Sequence, residues 1–102
     1  MWFAVNLLFK SVHPHDTGHD WLWEERIFLI RAPSEAEARQ EGERLGKAEE
    51  HDFTSATGDL VRWTFQQVES VSEIDSLEHG SELFSRFLSQ QEVENLLAPF
   101  KE

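Results

Sequence analysis

The run from Trp21 to Glu50, WLWEERIFLIRAPSEAEARQEGERLGKAEE, limits the possible folds more than any other part of the chain. It reads as a strand, a break at Ala32-Pro33, and a helix. Alternate side chains of a strand fall on opposite faces. Over Trp21 to Ala32, one face carries Trp21, Trp23, Glu25, Ile27, Leu29 and Arg31. The other carries Leu22, Glu24, Arg26, Phe28, Ile30 and Ala32. From Ile27 to Ile30 both faces are apolar, the pattern of a central strand covered above and below. Glu24 and Arg26 share a face and can pair along the strand. Glu25 sits between Trp23 and Ile27, where a lone carboxylate is costly.

The helix is predicted over Ser34–Glu49. Ser34 followed by Glu37 fits a capping box, with Pro33 just before it. Glu35 and Glu37 in the first turn and Lys47 near the end suit the helix dipole. Glu35, Arg39, Glu43 and Lys47 follow at four-residue spacing on the wet side. The opposite side holds Ala38, Gly42 and Leu45, a thin stripe that lets the helix lie close to a sheet.

Ahead of this unit, Trp2 to Lys10 alternates as a strand, with Phe3, Val5, Leu7 and Phe9 on one face. It is expected to pair antiparallel with the Trp21–Ala32 strand. The loop between them, SVHPHDTGHD, gathers His13, His15, Asp16, His19 and Asp20. Imidazole and carboxylate ligate zinc and nickel well, so this loop is a candidate metal clip. The plainer reading is a polar loop with Pro14 and Gly18 as turn formers. After the helix, His51 to Gln67 reads as a hairpin turning at Ala56–Asp59, its second arm running on to Val71. Ser70 to Gly80 reads as an acidic loop. Gly80–Leu88 reads as a last strand, in which Arg86 interrupts an apolar run and needs a partner. Ser89 and Glu92 repeat the capping-box spacing before Val93, Leu96 and Leu97, starting a short helix that stops near Pro99.

Charge narrows the function. The chain has 102 residues with 20 acidic and nine basic ones, a net charge of -11. Such a surface repels phosphate backbones and anionic membranes and favours a basic protein or a cation. The absence of cysteine removes disulfides, thiolate metal sites and cysteine nucleophiles. No apolar run approaches the roughly twenty residues that span a bilayer, and no basic leader precedes a cleavage site. A cytoplasmic protein is expected. No nucleophile elbow and no glycine-rich phosphate loop is present. Glu24 and Glu25 point to opposite faces and cannot act on one bond, so no enzyme and no cofactor are expected. The expectation is instead structural: Glu25 or Glu24, with Arg26 alongside, forms a half-buried bidentate pair with Arg86 on a neighbouring strand.

The order of these segments resembles a known family. An N-terminal Trp2-Phe3 strand with Ala4, Val5 and Leu7-Leu8-Phe9 is followed by Trp23–Ala32, then by Ser34-Glu35-Ala36-Glu37-Ala38. Gly58, Val61, Trp63 and Phe65 come next, then Glu82–Leu88. The chain up to about Leu88 resembles the bacterial family of domain of unknown function four-two-eight-eight. Trp23-Glu24-Glu25-Arg26, Val61–Phe65 and Ser85-Arg86-Phe87 carry most of the likeness. The tail 89–102 and the His-rich loop lie outside that pattern. The resemblance implies a small α+β domain without an assigned activity, and no catalytic residues.

The expected fold is one α+β domain over residues 1–102. A four- to five-stranded antiparallel or mixed sheet carries the main helix on one face, in the order β-β-α-β-β-β-α. One thin helix leaves too many aromatics uncovered. Trp2, Trp21, Trp23, Leu96, Leu97 and Phe100 are therefore candidate interface residues of a homodimer.

Overall fold

The computed structural model describes residues 1–14 and 22–98. The elements run β1 (Trp2–Val12), β2 (Trp23–Arg31), α1 (Glu35–Ala48), β3 (His51–Thr54), β4 (Leu60–Ile74) and α2 (Gln90–Leu97). The four strands form one antiparallel sheet in the order β2-β1-β4-β3. The fold is α+β, as expected, but with one strand fewer than the predicted β-β-α-β-β-β-α order. Residues 82–89 take no regular structure and join no strand, because the segment crosses the sheet instead of running along an edge.

β1 and β4 are the two interior strands, and β1 carries most of the core. Phe3, Val5, Leu7 and Phe9 are buried on one face beside Ile30 of β2 and Val68 of β4, with Ala32 and Ala38 completing the cluster. β2 was expected at the centre and stands at an edge. Its register to β1 runs unbroken from Trp2 against Arg31 to Lys10 against Trp23. Its outer side has no strand among the described residues, and Ile27 and Leu29 stay 50% and 54% exposed. The apolar run fits an interior strand, yet no second layer covers that side.

α1 begins where Ser34 accepts the Glu37 N–H at 3.2 Å. It buries Ala38, Gly42 and Gly46 at four-residue spacing, one residue of each turn against the sheet. The fit is close. A Cβ on Gly42 would press on Val5, and one on Gly46 would fall on the Phe65 ring. Phe65 in turn meets Phe9 edge-on at 5.8 Å between ring centres.

β4 is longer than expected and reaches Ile74, so the acidic loop starts at Asp75 rather than Ser70. Two bulges, opposite the Asn6/Leu7 and Leu8/Phe9 steps, let Arg62–Ile74, thirteen of its residues, run along the eleven of β1. The β3–β4 hairpin turns through Gly58, whose φ of 88° suits a residue without a Cβ. Beyond β4 the chain returns over the open face. There Leu77 and Leu83 meet Ala4, Ile27, Leu29 and Ile74 around a small apolar cavity of about 150 Å³. α2 carries a complete capping box between Ser89 and Glu92. It buries no residue and, among the described residues, packs on no other element.

Candidate functional site

The charged residues singled out in β2 go to different places, because alternate positions face opposite ways. Glu25 lies on the open face, where Arg86 approaches its Oε2 to 3.8 Å. This is one long contact between side chains 33% and 45% exposed, not a half-buried bidentate pair. The reason is the missing fifth strand: Arg86 comes from a crossing segment, which does not fix a cross-strand geometry. Arg26 lies on the helix side. Its guanidinium sits over Phe9 and Phe28, 5.2 and 5.0 Å from the ring centres, and reaches Glu49 at the end of α1 at 3.6 Å. Arg26 therefore ties β2 to the end of α1 rather than to Glu24. Glu24 is exposed.

A bidentate pair between strands lies elsewhere. Arg62 of β4 donates from Nε and Nη2 to the two oxygens of Asp52 on β3, at 2.9 and 3.3 Å. The hydrogen bond from Arg62 holds the Asp52 carboxyl below its usual range. Directly opposed positions of an antiparallel pair place these two side chains together. The Asp52–Arg62 alignment was readable once the hairpin was placed.

Of the candidate metal ligands, only His13 is described; it lies 3.4 Å from the Ser11 hydroxyl. His15, Asp16, His19 and Asp20 lie outside the described residues, as do Trp21 and Phe100. Among the described residues, no group of three or more His, Asp or Glu is placed to hold a metal ion. Trp2 and Trp23 stand on the open face, with Arg31 over the first at 5.7 Å and Lys10 over the second at 5.4 Å. Leu96 and Leu97 are exposed on α2.

Two features escaped the sequence reading. The first is Asn6, fully buried in the middle of β1, opposite Ile27 on one side and Ser70 on the other. Among the described residues, neither its amide nitrogen nor its oxygen has a hydrogen-bond partner, and the Ser70 hydroxyl is likewise buried without one. An asparagine amid WFAVNLLF was the visible signal. The second is a groove of about 320 Å³ beside the end of β4. Glu73, Asp75 and Glu82 line it together with Ser72, Ser76, Ser81 and Ser85. It forms only because the segment after Gly80 doubles back, which no local pattern foretells.

Among the described residues, no helix is long and apolar enough to cross a membrane. Comparisons with curated proteins and with solved structures find no match. The comparison with protein families does: residues 2–85 match the family described as Domain of unknown function (DUF4288). The matched span takes in the whole sheet, α1 and the start of the crossing segment, and the chain belongs to that family.

Proposed function

We propose that this protein is a non-enzymatic interaction module whose acidic surface receives a basic protein partner, in an antitoxin- or immunity-like role, and that it works as a homodimer. The observation that carries the reading is the acidic groove at the end of β4. Three acidic residues and four serines line a space of about 320 Å³. That suits a lysine or arginine side chain, which needs carboxylates for its charge and hydroxyls for its remaining N–H groups. The net charge of -11 extends the attraction beyond the groove and speeds encounter with a positive surface. The exposed Ile27, Leu29 and Trp23 support self-association, since a sheet face of this kind is usually covered.

A pull-down from the protein's own cell extract tests the basic partner. The wild-type chain is expected to retain a basic protein that elutes as salt is raised to about 0.5 M, where surface charges are screened. The triple variant Glu73→Gln, Asp75→Asn, Glu82→Gln is expected not to retain it. Equal retention by both, or no basic protein held by the wild type, removes the reading.

A further inference from the structure

β2 has the composition of an interior strand and the position of an edge strand. Its backbone geometry says which residues wait for a partner. The Ala32 N–H donates to the Met1 carbonyl at 3.0 Å, and the Leu22 carbonyl accepts from the Ser11 N–H at 2.8 Å. Between these two points the β1–β2 register has no shift. Even-numbered residues therefore turn their N–H and C=O groups toward β1. Odd-numbered ones, Trp23, Glu25, Ile27, Leu29 and Arg31, turn theirs off the edge of the sheet. The same five residues carry their side chains on the open face.

We propose that this edge pairs antiparallel with β2 of a second copy, about a two-fold axis at Phe28. The proposal rests on the homodimer reading above and deepens it by naming the surface. Pairing about Phe28 sets Ile27 opposite Leu29 of the second copy and Glu25 opposite Arg31 of the second copy, each twice. Every charge on the outward-facing residues then meets its opposite, and the apolar pair meets its like. Shifting the axis to Ile27 sets Glu25 against Leu29; shifting it to Leu29 sets Arg31 against Ile27. Neither neutralises a charge. Roughly eight backbone hydrogen bonds form in the Phe28-centred register, and both open faces join into one sheet surface. β2 becomes the interior strand that its sequence describes. The outer edge of β4 offers no such match. Beyond its pairing with β3 it holds acids only, at Glu69 and Glu73, and two bulges break its line.

Glu25 already has Arg86 near one oxygen, at 3.8 Å, and this leaves its second oxygen for Arg31 of the other copy. Arg31 is exposed, over the Trp2 ring, and can reach the edge without unpacking the core.

The test is a charge swap on the full chain, read by sedimentation equilibrium. Wild type is expected at twice the 11.9 kDa chain mass at tens of micromolar. Glu25→Arg and Arg31→Glu each place like charges at both pairs, and each is expected to raise the dissociation constant about tenfold or more. An equimolar mixture of the two variants is expected to dimerise again, because one chain now offers two arginines and the other two glutamates. Dimers that survive in both single variants, or a mixture that stays monomeric, overturn the β2 edge while leaving the homodimer reading in place. A wild-type monomer overturns both. The basic-partner reading stands or falls separately, by its own pull-down. Should either variant fail to fold, cysteine pairs decide the register, since the chain has none of its own. A mixture of Ile27→Cys and Leu29→Cys chains is expected to cross-link on oxidation, at the roughly 5.5 Å separation of opposed residues. Neither chain alone is expected to, since like positions lie more than about 7 Å apart in this register. Efficient cross-linking of either chain alone overturns it.

Discussion

Gly46→Ala offers a sharp test of how α1 meets the sheet. Alanine is the better helix former by about 1 kcal/mol, so on propensity alone the substitution stabilises. The structure reverses that sign. A Cβ at Gly46 would stand closer than 3.0 Å to three carbons of the Phe65 ring. Phe65 cannot swing away freely: it meets Phe9 edge-on, and its backbone N–H is held by the Glu50 carboxylate at 2.9 Å. Forcing a methyl group into a packed contact costs about 1–3 kcal/mol, and a clash this close belongs at the upper end. The expected net loss is about 1–2 kcal/mol. For a domain of this size, that is a fall in Tm of roughly 5–15 °C. The assay is thermal melting by circular dichroism over a double-mutant cycle with Phe65→Leu. With the ring removed, Gly46→Ala is expected to recover its propensity gain and raise Tm. If Gly46→Ala raises Tm equally in both backgrounds, the helix does not lie as close as described, and the reasoning is refuted.

Three further outcomes follow from the same geometry. Asn6→Leu, at a site where both amide atoms lack a partner among the described residues, is expected to stabilise by about 1–3 kcal/mol in urea unfolding; a loss of more than about 1 kcal/mol means that Asn6 is held by something it needs. A cycle of Glu25→Gln and Arg86→Met is expected to give a coupling of at most about 1 kcal/mol, as for an exposed pair, and a larger value contradicts the half-exposed, single-contact geometry. The hydrogen bond from Arg62 depresses the Asp52 pKa in the folded state, so this pair supports the β3–β4 hairpin at neutral pH. That support is lost as pH falls through the folded-state value. Carboxyl-carbon NMR titration should show the Asp52 midpoint rising in Arg62→Gln; an unmoved midpoint removes Arg62 as the cause.

The local elements were legible because their signals are local. Ser34 with Glu37, and Ser89 with Glu92, start helices where the capping spacing says. Phe3, Val5, Leu7 and Phe9 share the buried face that alternation assigns them. What failed was whatever depended on neighbours. Residues 80–88 alternate well enough for a strand, but a strand needs an edge to join, and this segment crosses the open face instead. β2 looked central because both its faces are apolar; alternation reports which faces are apolar and cannot say what covers them. The Glu25–Arg86 contact forms, yet without the strand that was to orient it. The acidic groove follows from the return of the chain beside the end of β4, an arrangement set by long-range packing.

In the proposed dimer, the exposed edge and face of β2 are recognised by a second copy. Residue-resolved hydrogen exchange on the wild-type chain, at rising protein concentration, tests this most directly. The even amides of Glu24, Arg26, Phe28 and Ile30 turn toward β1 and should be protected at every concentration. The odd amides of Glu25, Ile27, Leu29 and Arg31 should be open when dilute and become protected together as concentration rises. Odd amides that exchange freely at every concentration would contradict the account.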